Sequence, residues 1–253
     1  MTTPPVRLPW RVRAAIALRL LAVQGSWNYE ILMGNGIAFA VEPALRLLPG
    51  GKDGEAYRAS LARQTGYFNA HPYLAGVAVG ALARAELSGE APERIERFRT
   101  ACCGPLGSVG DRLVWAGWLP ACSLLGLTVF GLGASPLAVV LVFLVSYNLG
   151  HLGLRIWGLR VGYRDGLRVA SALGAPLFRR GPMHVARVVA LLAGVSLPLA
   201  VRGVMGPARG VFEIVLTMAV VGAVVLARFH GRFEGWRVAL AVLGIFIFFS
   251  VVS

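Results

Sequence analysis

Six residues near the amino end could do chemistry that the oily remainder of this chain could not: Gln24, Trp27, Asn28, Glu30, Asn69 and His71. They sit in two runs, QGSWNYE at 24–30 and YFNAHPY at 67–73. Amides and a carboxylate offer donors and acceptors together, which the hydroxyls of a polyol require. The flat indole of Trp27 can pack against an apolar C–H face. A sugar ring meets both demands. On an unbroken helix Gln24, Trp27 and Asn28 fall at i, i+3 and i+4 and share a face. Glu30 is turned about 160° from Asn28, so the helix must break if both are to meet one ligand. A second reading stays open, with Trp27 and Tyr29 as membrane-interface anchors and the amides as helix caps.

His71 and His151 have an ordinary pKa near 6.5, usable for proton carriage or phosphoryl acceptance and equally compatible with a structural role. Pro72 biases His71 away from helical dihedrals, so the chain is expected to bend there. In GPLGSVGD, Gly104, Pro105 and Gly110 predict a flexible, helix-breaking entry. Asp111 beside them suits the first turn of the next helix, where the dipole favours an acid. Ser146, His151 and Asp165 lack the strand-to-helix elbow of a serine hydrolase. Cys102, Cys103 and Cys122 have neither disulfide-framework nor metal-ligand spacing. No metal site and no cofactor motif is expected.

The elements that must hold these residues are membrane elements. Of 253 residues, 57% are hydrophobic and 15% charged, with mean hydropathy +0.68. Soluble domains carry roughly 25% charged residues. From Leu113 to Leu154 there is no Asp, Glu, Lys or Arg. That run is long enough for two spans of about 20 residues each, and GLGAS before Pro136 is the natural turn between them. The net charge of +13 comes almost wholly from arginines flanking apolar segments. No nucleic-acid motif accompanies it, so the arginines read as anchoring and orienting charges.

The predicted fold class is all-α, a polytopic integral membrane protein with re-entrant or broken helical hairpins. Residues 1–23 predict a basic amphipathic helix at the membrane surface. Residues 24–112 predict broken helices forming a substrate-facing core, and 113–253 the transmembrane helices. Three apolar stretches, about Val188–Val201, Ile214–Ala227 and Val238–Ser253, complete that set. Basic residues at Arg94–Arg112 and Arg155–Arg187 place both ends of the first hairpin in the cytoplasm and the C-terminus outside. Broken helices are costly in lipid unless protein or water satisfies their freed backbone groups, which is how transporters hold polar substrates near the midplane.

Four segments, LLAVQGSWNYE, FNAHPYLAGVAVG, GPLGSVGDRLVWA and YNLGHLGLRIWGLRVGYRDG, together resemble the IID subunit of mannose-family phosphotransferase (PTS) permeases. The resemblance runs in order from Leu18 to Gly166. It implies a multi-pass subunit of the bacterial inner membrane that pairs with a IIC subunit, in oligomers of IIC–IID pairs, to form an elevator-type hexose path. It implies that the IID subunit is not itself phosphorylated: the hexose takes its phosphate from a separate cytoplasmic IIB protein, charged by IIA. The sugar-contacting residues it points to are again Gln24, Trp27, Asn28, Glu30, Asn69 and His71. A non-transporting scaffold or sensor, docking phosphorylated PTS proteins on the basic stretch Arg155–Arg187, is the alternative.

Overall fold

The computed structural model describes residues 7–169 and 176–205, together with positions 217, 220–222 and 224. These residues are helical throughout apart from turns and two isolated β-bridges. The helices are α1 (Trp10–Leu20), α2 (Gly34–Leu45), α3 (Glu55–Gln64), α4 (Ala75–Leu87), α5 (Pro92–Gly110), α6 (Leu119–Gly131), α7 (Pro136–Asp165) and α8 (Pro176–Met205). A π-helical segment, Asp111–Trp118, joins α5 to α6 without a break. The apolar stretch Val188–Val201 lies inside α8. Val238–Ser253 and most of Ile214–Ala227 lie outside the described residues.

Two helical stretches are long and apolar enough to cross a membrane, Pro92–Gly131 and Pro136–Arg168. The turn between them follows its sequence. Gly133, at φ +89°, supplies the left-handed residue that ends α6, and Ser135 Oγ accepts from Ala138 N–H to cap α7 ahead of Pro136. The expected break at Gly104, Pro105, Gly110 and Asp111 does not occur. All four lie in continuous helix, and no hairpin tip forms there. Proline is tolerated inside membrane helices because local adjustment re-satisfies the freed carbonyl. A π-helical turn follows downstream at Asp111–Trp118. The boundary expected at 112/113 therefore falls within one helical run. Likewise Arg155–Asp165, expected as part of a basic connection, continues α7.

By compactness the chain divides into one unit of Met1–Cys122 with Leu144–Arg187, and a second of Ser123–Phe143 with Val188–Ser253. At the centre of the first unit is α4, buried on nearly every side from Ala75 to Glu86. A helix apolar all round must be enclosed by neighbours. Its small residues allow this. Gly76 and Gly80 lie four apart on α4, and Gly158 and Gly162 four apart on α7. A Cβ at Gly80 would come 2.5 Å from the Leu159 carbonyl oxygen, and one at Gly162 would come 2.1 Å from that of Val77. Paired small residues of this spacing let two helix backbones touch, the packing favoured where lipid removes the hydrophobic drive.

Two buried carboxylates tie the short helices together. Glu42 on α2 accepts from Arg19 Nη1 of α1 at 2.7 Å, Arg46 Nε at 2.6 Å and Tyr57 Oη of α3 at 2.9 Å. Glu86 on α4 accepts from Ser60 Oγ, from Gln64 Nε2, and from Arg63 through two nitrogens, all within 3.0 Å. Burial alone would raise both carboxyls, but the hydrogen bonds outweigh it and both are lowered, Glu42 to about 2. The amino-terminal helix is thus packed on α2, with Ile16 and Leu20 fully enclosed.

Candidate functional site

The chain leaves α1 at Leu20 and does not regain helix until Gly34. Gln24, Trp27, Asn28 and Glu30 therefore lie on turns, and the shared helical face expected for the first three does not exist. Asn28 Oδ1 accepts from the N–H groups of Glu30 and Ile31 at 3.0 and 2.9 Å. That is an Asx turn, the local bond that lets Asn compete with helix. Asn28 and Leu32 then bridge backbone to backbone, with Leu32 at φ 50°. A branched side chain in the left-handed region is strained, and such residues gather where the surroundings over-determine the backbone.

Leu32 also bridges Phe68, with Met33 N–H donating to Phe68 O and Phe68 N–H to Ile31 O. This short ladder brings the two polar runs together. Gly34 makes room for it, since a Cβ there would meet the Gly66 carbonyl oxygen at 2.3 Å. The resulting edge exposes Gln24, Trp27, Tyr29, Glu30, Tyr67 and Asn69, with Trp27 packed edge-on against Tyr29. Its corner is fixed from beneath by Arg99, which the sequence places within the basic cytoplasmic stretch Arg94–Arg112. Arg99 is buried and donates to Gln64 Oε1 at 2.6 Å and to the carbonyls of Gly66 and Tyr67. Through Gln64 that chain of bonds reaches Glu86.

His71 does not join this edge. It is fully buried, 1% exposed, with its Cβ against Gly110, where a glycine substituent would come within 2.1 Å. It anchors the bend: its N–H donates to Leu106 O and its Nδ1 accepts from Tyr73 N–H at 3.2 Å. Desolvation first, and then the Arg155 charge, push its pKa down to about 4, so the ring is neutral with its proton on Nε2. Around it stand Tyr73, Trp115 of the π segment, and Tyr147, His151 and Arg155 of α7. Ring centroids lie 4.9 Å apart for His71–Trp115 and 4.3 Å for Tyr73–His151. Arg155 stacks over Tyr73, donates to His151 Nε2 at 3.0 Å, and also donates to Leu20 O. The hydroxyls of Tyr73 and Tyr147 meet at 2.5 Å. His71 Nε2, His151 Nδ1 and Trp118 Nε1 are buried without a protein acceptor. Of this cluster, sequence reading singles out His71 and His151. Tyr73 lies 74 or more residues from Tyr147 and Arg155, which share α7, and only the fold unites it with them.

Helices and turns throughout the described residues, with two stretches long and apolar enough to cross a membrane, fit the class of helical membrane proteins. Residues 10–191 match the family described as PTS system mannose/fructose/sorbose family IID component, and the chain belongs to that family. It is 29% identical over 185 residues to the mannose-specific EIID component of Escherichia coli strain K12, covering 71% of this chain and 64% of that one. To the sorbose-specific EIID component of Klebsiella pneumoniae it is 30% identical, over 64% of this chain and 60% of that one. The matches thus span less than two-thirds of those relatives. A solved chain titled "Structure of membrane protein" has a TM-score of 0.64 at 25% identity, over 75% of this chain and 70% of that one. A chain of the mannose transporter ManYZ solved with microcin E492 has a TM-score of 0.56 at 20% identity over 98% of both, a likeness of fold.

Proposed function

We propose that this chain is the IID subunit of a bacterial inner-membrane sugar permease. It pairs with a IIC subunit to form the path of a hexose, which is phosphorylated on the cytoplasmic side by IIB after IIA has charged it. The observation that carries the reading is the Leu32–Phe68 bridge. It brings the runs at 24–30 and 67–73 to one exposed edge of aromatic, amide and carboxylate groups. Gln24, Trp27, Glu30 and Asn69 meet the sugar or the IIC surface that shares it. Asn28 holds the turn, and His71 holds the bend that follows. The basic ends of α5 and α7 face the cytoplasm and the C-terminus lies outside. The same reading makes the chain part of an elevator-type carrier.

The test is uptake of labelled hexose by cells carrying this chain with a IIC partner and the cytoplasmic phosphocarriers. Trp27→Ala and Asn69→Ala are each expected to abolish uptake while the subunit still co-purifies with IIC. Normal uptake by either variant would remove the proposed edge from the sugar path.

A further inference from the structure

Between α1 and the last turns of α7 lies a groove of about 490 Å³. Leu8, Ile16, Ala17, Ile156 and Leu159 give it an apolar floor. Its rim carries Trp10, Tyr163 and three arginines, Arg13, Arg160 and Arg164. Arg164 is paired with Asp165. Arg13 and Arg160 are exposed, and no acidic residue lines the groove. The sequence has none at all before Glu30. The apolar floor continues outward along α7 through the exposed side chains of Leu152 and Leu149, on a helix long enough to span a membrane.

An apolar trough running into hydrocarbon, with an indole and uncompensated guanidinium groups at its mouth, matches one kind of molecule. It needs an acyl chain along the floor and a phosphodiester at the rim. Guanidinium binds such phosphate oxygens in a fork, and Trp and Tyr favour the headgroup level. We propose that this groove is a specific site for an anionic phospholipid, with Arg13 and Arg160 holding the phosphate and the acyl chain lying against Leu8, Ala17 and Ile156. The bound lipid joins α1 to α7. It belongs to the chain's membrane setting and stands apart from the sugar-facing edge, so it holds whether or not that edge binds hexose.

The full chain, purified from membranes and stripped of lipid, is titrated with phosphatidylglycerol and with phosphatidylcholine of identical acyl chains, and bound lipid is read by native mass spectrometry. Phosphatidylglycerol should bind roughly tenfold more tightly, as two guanidinium contacts imply. Arg13→Gln/Arg160→Gln should bring the two lipids within about twofold, while Arg97→Gln, on another face, keeps the preference. Ala14→Phe, which fills the groove from an exposed position and leaves every charge, should weaken both lipids. That variant and single Arg160→Gln decide the matter if the double variant fails to fold. An undiminished preference in the arginine variants, unchanged lipid binding by Ala14→Phe, or displacement of lipid by millimolar inorganic phosphate would each overturn the proposal.

Discussion

Replacing Gly80 by alanine adds one methyl group at the point where α4 and α7 touch. The new Cβ would lie 2.5 Å from the Leu159 carbonyl oxygen and 2.6 Å from the Tyr163 nitrogen. Both are backbone atoms of a rigid helix, so no side chain can swing away. Restoring ordinary contact requires the helices to part by roughly 1 Å, and a gap of that size forfeits a quarter to a half of each neighbouring dispersion contact. Overpacking of this kind costs about 1–3 kcal/mol, and a backbone-to-backbone clash belongs at the upper end. Gly104→Ala is the control, because nothing lies within 4 Å of its added Cβ. Alanine there should be neutral or stabilise the helix by about 0.5–1 kcal/mol. Thermal unfolding in detergent, followed by near-ultraviolet circular dichroism and by loss of the monodisperse elution peak, compares the two directly. Gly80→Ala should lower the midpoint by several degrees and Gly104→Ala should not. Equal midpoints would show that the helices are not in the close contact described, and the placement of Arg155 beside Tyr73 would fall with it.

Glu86→Ala strands Arg63 and Gln64 in a buried site, and breaking a buried pair in this way is expected to cost about 3–5 kcal/mol in a denaturant titration. Glu86→Gln, which keeps the shape, should cost less. Glu42, held at about 2 against an ordinary 4.5, contributes stability that is complete above pH 4.5 and lost as pH falls toward 2. Thermal midpoints measured across that window should drop in the wild type and drop less steeply in Glu42→Gln. Arg99→Ala frees the carbonyls of Gly66 and Tyr67. Proteolysis near Tyr67 should therefore rise even where the helices remain folded.

The helical class, the hairpin after Leu113 and the bend at His71–Pro72 were all legible in local sequence. Each depends on features that act within a few residues, such as an uncharged run, a Gly–Ser–Pro turn or a proline. The candidate residues were legible as types, but their grouping was not. Gln24, Trp27 and Asn28 look like one face of a helix only until Asn28 diverts its amide into an Asx turn. His71 sits within two residues of Asn69 yet turns into the core. Pro105 looks like a break because proline lacks an N–H, yet α5 runs through it to Gly110. Arg99 and Arg155 look like solvated charges. Their burial depends on partners 20 or more residues away, which periodicity cannot show. The matching glycine pairs of α4 and α7 are visible as spacing in each helix, but nothing in either pair names the other.

The most direct test of the sugar-facing edge is protection from a thiol reagent. In a chain whose three native cysteines are replaced, Tyr29→Cys and Tyr67→Cys, exposed neighbours of the proposed contacts, are introduced singly, with Leu132→Cys as the exposed reference, and each is co-expressed with a IIC partner. Labelling of positions 29 and 67 by a small maleimide should slow markedly when hexose is added, and labelling at 132 should not change. Equal labelling with and without hexose at both 29 and 67 would contradict the account.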